Sequence, residues 1–194
     1  ISLHGIHRGG LKAGEYCAII GAGPIGLLAG MIAQAYGAHA ILLDLVQERL
    51  DFAKELGIEY VINSGEEDAA ARVSEITGGM MAQQVMECSG SNAAIRSSLD
   101  LVSNAGRITL TGWPPRETSI PTDIITRKEI DIRGARTSAG EFEEAIELIY
   151  TKKVDVAKIL TKTISLDEAP ETIRDIEKNP GNYMKVVVKV DKTV

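Results

Sequence analysis

A doubly wound α/β fold around a six-stranded parallel sheet is what this sequence predicts, and three observations predict it. Five short apolar runs precede Trp113, each separated from the next by a stretch of helical periodicity. The runs are apolar at consecutive positions, as strands covered by helices on both faces are. The stretches between them, roughly 10–15 residues each, suit the right-handed crossover that joins parallel neighbours.

GEYCAII (Gly14 to Ile20) is the first strand. Glycines at 21, 23 and 26 separate it from a helix over Pro24 to Tyr36, where Ile25, Leu28, Ile32 and Ala35 share one face. Pro24 suits a first helical turn, and Gly37 closes the helix. AILLDL (Ala40 to Leu45) is the second strand, and Gln47 to Gly57 is a helix with Leu50, Ala53 and Leu56 inward. YVIN (Tyr60 to Asn63) is the third strand, followed by a helix over Glu66 to Thr77 that Gly78 and Gly79 stop. AQQVMECSG (Ala82 to Gly90) is the fourth strand with its turn, Asn92 to Leu101 a helix, and GRITLTGW (Gly106 to Trp113) the fifth strand.

Beyond Trp113 the loop PPRETSIP leads to a short helix over Thr122 to Lys128, a sixth strand IDIRGA (Ile130 to Ala135) and a helix over Glu141 to Tyr150. The tail has a different character. ILTKTISL alternates, DEAPETIRDIEKN is an amphipathic helix and MKVVVKV is a β-branched strand, together a β-α-β unit outside the main sheet.

Bulk properties exclude several classes of function. The 194 residues carry a formal charge of −6, and no segment shows the basic stripe of a nucleic-acid face. Cys17 and Cys88 both sit in strand-like runs and make no disulfide framework, so a reducing, cytoplasmic setting is expected. No apolar stretch reaches the length needed to cross a membrane. ISLHGIHRGG lacks the charged-then-apolar order of an export signal and reads as a chain that begins partway through a helix. His4 and His7 share a helical face, but no third metal ligand is in view, and a solvated face is the expectation. His39 is expected at the surface, in the turn before the second strand.

The chemistry concentrates at the first crossover. A strand, G-x-G-x-x-G, a helix, and then Asp44 closing the next strand 23 residues after Gly21 form the dinucleotide fingerprint of a Rossmann fold. Gly21 makes the sharp turn, Gly23 lets the backbone approach a diphosphate, and Gly26 lets helix and strand pack closely. Pro24, Ile25 and Gly26 form the first helical turn, whose N–H groups and dipole face the phosphates. Asp44 can accept both ribose hydroxyls of an adenosine and repels a 2′-phosphate, which favours NAD over NADP. Otherwise Asp44 is a helix cap or a solvated strand end. Arg49 flanks the adenine or pairs with a local carboxylate. Ligands in open parallel sheets lie beyond the carboxyl ends of the strands. Cys88, Ser89, Gly90, Thr111, Gly112, Trp113, Gly134, Ala135 and Arg136 are therefore expected to line the nicotinamide half, through backbone more than side chains. Cys88 has no His near it in sequence, and a buried structural thiol is a simpler reading than a nucleophile.

IIGAGPIGLLAGMIAQAYGAHAILLDLVQERLDFAKELG resembles the cofactor domain of the zinc-type medium-chain alcohol and polyol dehydrogenases, in particular the sorbitol (iditol) and threonine dehydrogenase branch. HRGGLKAGE, VMECSG, GRITLTGW and the tail TISLDEAPETIRDIEKNPGNYMKVVVKV resemble the same family, so the likeness covers essentially the whole chain. The resemblance implies an NAD-dependent oxidation of a hydroxyl on a small alcohol or polyol, assisted by zinc held on a separate N-terminal domain. This chain has neither a CxxC nor a set of zinc ligands, so it is expected to supply only the nucleotide half and to be inactive alone. The resemblance also implies a division into residues 1–153, the NAD domain with 1–10 as the end of a helix, and 154–194, a C-terminal piece of the catalytic domain. It further implies a homo-oligomer, dimer or tetramer, paired through the stretch from Thr118 to Ala135.

Two other uses of the fingerprint compete. A non-enzymatic NAD sensor would need a DNA-binding or gating attachment, and no basic helix-turn-helix is present. A methyltransferase is disfavoured by the third glycine at 26.

Overall fold

A computed structural model describes residues 1–190. It divides into two compact units, Ile1–Val154 and a second beginning at Asp155. In the first, α1 (Ser2–Gly9) precedes β1 (Tyr16–Ile20), α2 (Pro24–Ala35), β2 (His39–Asp44), α3 (Gln47–Glu55), β3 (Tyr60–Asn63) and α4 (Ala69–Ile76). Then come β4 (Ala82–Glu87), α5 (Asn92–Leu101), β5 (Val102–Leu110), α6 (Thr122–Lys128), β6 (Asp131–Gly134) and α7 (Phe142–Tyr150). The six strands form one sheet in the order β3-β2-β1-β4-β5-β6, every pair parallel. The order reverses direction between β1 and β4, so the crossover helices of the two halves lie on opposite faces and leave a crevice at the reversal.

The apolar runs are apolar on both sides because both sides are packed. Ala18, Ile20, Ile41, Leu43, Val85 and Ile108 join one buried cluster with Val73 of α4 and Leu99 of α5. Intervening strand residues Cys17, Ile19, Ala40 and Leu42 are buried as well, as are Ile6 of α1 and Leu27 of α2. Burying a Leu or Ile side chain of this kind contributes about 1.5–3 kcal/mol, so these strand positions dominate the unit's stability.

Element ends depart from the sequence expectation where side chains cap or turn the chain. The fourth helix starts at Ala69, not Glu66, because the Asp68 carboxylate accepts from the Ala70 and Ala71 amides at 3.0 and 3.1 Å. The fifth strand pairs from Val102, with a register shift against β4, where Gly106 was the expected start. It also ends at Leu110 rather than Trp113, since the Thr111 and Gly112 amides both donate to the Glu87 carbonyl, at 2.9 and 3.1 Å.

The helix face carrying His4 and His7 is only partly solvated: His7 is exposed as expected, whereas His4 is largely covered. His4 Nδ1 lies 2.6 Å from Glu141 Oε1, beside the start of α7, and His7 Nε2 lies 3.3 Å from Glu144. The Tyr36 hydroxyl donates to Glu144, and burial followed by that bond pushes its pKa up. The His4 bond, then the Ala139 amide, hold the Glu141 carboxyl at about 2, below its ordinary 4.5. Folding lowers this pKa, so its stabilisation is present above the ordinary value and lost as pH falls towards about 2. Melting curves of wild type and Glu141→Gln should therefore be separated at neutral pH and converge by about pH 2. A separation unchanged by pH would show that the carboxyl titrates normally.

In the second unit a 3-10 turn (Val156–Ile159) leads into β7 (Leu160–Ser165), α8 (Ala169–Lys178) and β8 (Lys185–Lys189). β7 and β8 pair in parallel, the β-α-β arrangement expected of the tail. Residues 191–194, the end of the segment assigned from sequence to the tail, lie outside the described residues. No helix among the described residues is long and apolar enough to cross a membrane.

Candidate dinucleotide site

The carboxyl edge of the sheet is assembled from glycines that let three strand ends touch. β1 stops at Ile20, and Gly21 turns the chain at φ 107°, a region closed to residues with a Cβ. Its amide donates to Leu43 O at 2.7 Å, and the Cys88 amide donates to Ile20 O at 2.9 Å, tying the elbow to both neighbouring strands. A Cβ on Gly26 would overlap the Gly21 carbonyl oxygen and stand 3.4 Å from Ile19 Cγ2, so α2 rests directly on the elbow. At Gly23, by contrast, an added Cβ would meet no protein atom within 4 Å. The space over Gly23 is open, and the α2 ladder begins only with Leu27 N donating to Gly23 O at 2.9 Å. The amides of Ile25 and Gly26 stand ahead of that first bond, with Pro24 as the N1 residue that has no amide to offer.

Asp44 closes β2 beside this elbow, its side chain only 9% exposed. Oδ2 accepts from the Ala22 amide at 2.6 Å, and Oδ1 accepts from Leu45 N and Val46 N at 2.8 and 3.0 Å. The helix-cap role weighed from sequence is not the one found: α3 begins after Val46 with no side-chain cap, and Asp44 instead ties the turn after β2 to the elbow. A carboxylate offers about four lone-pair sites, so acceptor capacity for a further donor remains. Arg49 Nη1 stands 3.9 Å from Asp44 Oδ2, the local pairing expected of it.

On the other side of the elbow, β4 ends at Glu87, whose side chain is buried without any cationic partner among the described residues. Its Oε1 accepts from Ser89 N at 2.8 Å, Ser89 Oγ at 2.5 Å and Gly90 N at 2.9 Å. The turn it holds packs against the elbow: a Cβ on Gly21 would stand 3.2 Å from Ser89 N. A Cβ on Gly90 would approach Trp113 O to 2.7 Å, and one on Gly112 would approach Glu87 Oε2 to the same distance. Trp113 itself is 71% exposed, and the Arg136 guanidinium lies 5.0 Å over its ring.

The residues expected to line the site therefore form one band, from Asp44 through Gly21–Gly26 and Cys88–Gly90 to Gly112, Trp113 and Arg136. Three of the expected residues have other contacts. Thr111 is buried, and its Oγ1 would lie 3.3 Å from a Cβ on Gly5, on the α1 side. Ala135 is buried and contributes its amide to Leu110 O at 2.9 Å. The half-buried Cys88 thiol donates to Met86 O at 3.9 Å, and burial pushes its pKa up. Sequence reasoning missed Glu87 and the Ala22 amide. An acid in the interior of VMECSG, directly before Ser and Gly, was a signal for the first. Among the described residues no three His, Cys, Asp or Glu side chains converge to hold a metal.

Relatives match this chain over nearly its whole length. A zinc-type alcohol dehydrogenase-like protein of Haemophilus influenzae is 50% identical over 186 residues, which are 96% of this chain and 54% of that protein. Sorbitol dehydrogenase of Gallus gallus is 30% identical, covering 100% of this chain and 55% of that one. The solved 2R,3R-butanediol dehydrogenase of Bacillus subtilis superposes with a TM-score of 0.91 at 25% identity, over 98% of this chain and 55% of that chain. The chain thus spans about half the length of the curated relatives it matches. The family pattern described as zinc-binding dehydrogenase matches residues 24–151, from the first turn of α2 to the end of α7. On that match and the relatives' agreement, the chain belongs to the zinc-binding dehydrogenase family.

Proposed function

We propose that residues 1–153 bind NAD(H) and serve as the nucleotide half of a dehydrogenase acting on a small alcohol or polyol. The single observation that carries this reading is the pairing of open space over Gly23 with a carboxylate fixed beside the same elbow. A diphosphate fits where the α2 amides point and a Cβ is absent; an adenosine ribose fits where Asp44 keeps acceptor capacity. Both are features of this chain's own atoms, and together they suit one extended ligand.

Each part of the band has a task. The Ile25 and Gly26 amides and the α2 dipole offset the diphosphate charge. Asp44 orients the ribose and, being anionic, disfavours a 2′-phosphate, with Arg49 alongside. Backbone of Ser89–Gly90 and Gly112–Trp113 lines the other nucleoside, and Arg136 closes the rim. Bound NAD supplies the hydride acceptor that lets a hydroxyl become a carbonyl. A zinc centre, on this reading, comes from the half of the relatives' length that this chain does not span, and the chain alone does not turn over alcohol. Residues 154–194 belong with that same half, and the assembled enzyme is a homo-oligomer, dimer or tetramer, in the cytoplasm.

Trp113 is the single tryptophan and stands at the rim, so its emission reports occupancy. NADH should quench it saturably, and NADPH should bind more weakly. Asp44→Asn should weaken NADH roughly tenfold or more, the worth of a charge-assisted hydrogen bond, and narrow the gap to NADPH. Equal affinity of wild type for the two cofactors would sink the assignment of Asp44.

A further inference from the structure

We infer that Glu87 is a positioning residue for the nicotinamide side of the nucleotide site, an inference that rests on the NAD-binding reading. Glu87 is 0% exposed and faces no Lys, Arg or His among its hydrogen-bond partners. A buried carboxyl is costly unless donors surround it, so its retention needs a compensating arrangement. The arrangement here is specific. Three donors from two consecutive residues, Ser89 N, Ser89 Oγ and Gly90 N, converge on Oε1, and Gly90 N also reaches Oε2 at 3.2 Å. The main-chain carbonyl of the same residue takes the Thr111 and Gly112 amides. One residue thereby fixes the ends of both β4 and β5.

Those ends matter because of where they sit. The order β2-β1-β4-β5 puts Ser89–Gly90 on the opposite side of the elbow from Asp44. A dinucleotide with its adenosine ribose at Asp44 and its diphosphate over Gly23 must run its second nucleoside past Ser89–Gly90 and then Gly112–Trp113. The clearances are small: Gly21 against Ser89 N at 3.2 Å and Gly90 against Trp113 N at 2.8 Å, each measured from an added Cβ. A turn released from Glu87 would move along that wall while leaving the Asp44 side, held by its own three amide bonds, in place. Glu87 touches no reacting atom; it acts through Ser89, Gly90 and Gly112.

The test is a titration of the full chain, wild type and Glu87→Gln, with two probes: NADH, and AMP, which carries only the adenosine half. Gln is isosteric, but its amide NH2 stands where Oε2 faces the Gly90 amide, donor against donor. We expect NADH to bind about tenfold more weakly to the variant while AMP affinity stays within about twofold. A merely structural role would lower both affinities by the same factor, and no role would leave both unchanged; either result overturns the inference. Should Glu87→Gln fail to fold, Ser89→Ala removes one of the three donors to Oε1 and keeps the carboxylate and both amide bonds. It should show the same selective loss, about threefold for NADH alone, and equal behaviour to wild type would be contrary. If wild type binds neither NADH nor AMP, the NAD reading itself fails and takes this inference with it. If wild type binds both and the variant does too, only the role of Glu87 is wrong.

Discussion

Gly26→Ala should destabilise the first unit by about 3 kcal/mol, or lower its melting temperature by about 10 °C, although alanine is the better helix former. Helix propensity alone favours the substitution by about 1 kcal/mol. Sterics oppose it more strongly. The new Cβ would overlap the Gly21 carbonyl oxygen and stand 3.0 Å from its carbon. Both are backbone atoms, so no rotamer change relieves the clash. Either α2 moves off β1, opening the layer that buries Ile19 and Leu27, or the elbow moves and breaks the bonds of Gly21 N to Leu43 O and of Ala22 N to Asp44. Nucleotide affinity should fall with stability, because the same carbonyl that clashes belongs to the turn presenting the diphosphate site. Differential scanning calorimetry decides the matter, and a melting temperature equal to wild type would mean that helix and elbow are not in direct contact.

Gly23→Ala should do the reverse: leave the fold intact and abolish tight binding. Its backbone, at φ −77° and ψ −178°, is ordinary extended chain, and the added methyl meets no protein atom within 4 Å. Reducing the freedom of the unfolded chain should even stabilise the unit by about 0.4–1 kcal/mol. The methyl would nevertheless occupy the space through which a diphosphate reaches the α2 amides, and NADH affinity should drop about 100-fold, an overpacking cost near 3 kcal/mol. Calorimetric titration beside a thermal melt separates the two effects. Undiminished NADH affinity in Gly23→Ala would mean that the open space is not a ligand site.

The pair shows what was legible in the sequence. Three glycines with one spacing marked a strand-turn-helix, because only glycine tolerates both φ 107° at position 21 and contact with a backbone oxygen at position 26. Buried strands were legible as continuous apolar runs, since helices pack both faces. Element ends were less so. They depend on which polar side chain wins an amide, as Asp68 does at α4, or on which carbonyl collects two donors, as Glu87 does at the end of β5. Long-range polar pairs left no local trace at all. His4 and Glu141 lie far apart in the chain, and nothing near either residue marks the other as its partner. Glu87 was visible as an acid in a buried strand, but its donors came to light only when the turn was seen folded back on it.

The proposed nucleotide site is a claim about named residues at one edge of the sheet. An NADH titration of the isotope-labelled chain, followed at assigned backbone amides, tests this most directly. Saturable shifts should concentrate on 21–26, 44–46 and 88–90 and fade beyond the carboxyl edge of the sheet. Shifts confined to the second unit, or none at millimolar NADH, would contradict a grip on diphosphate at the first crossover.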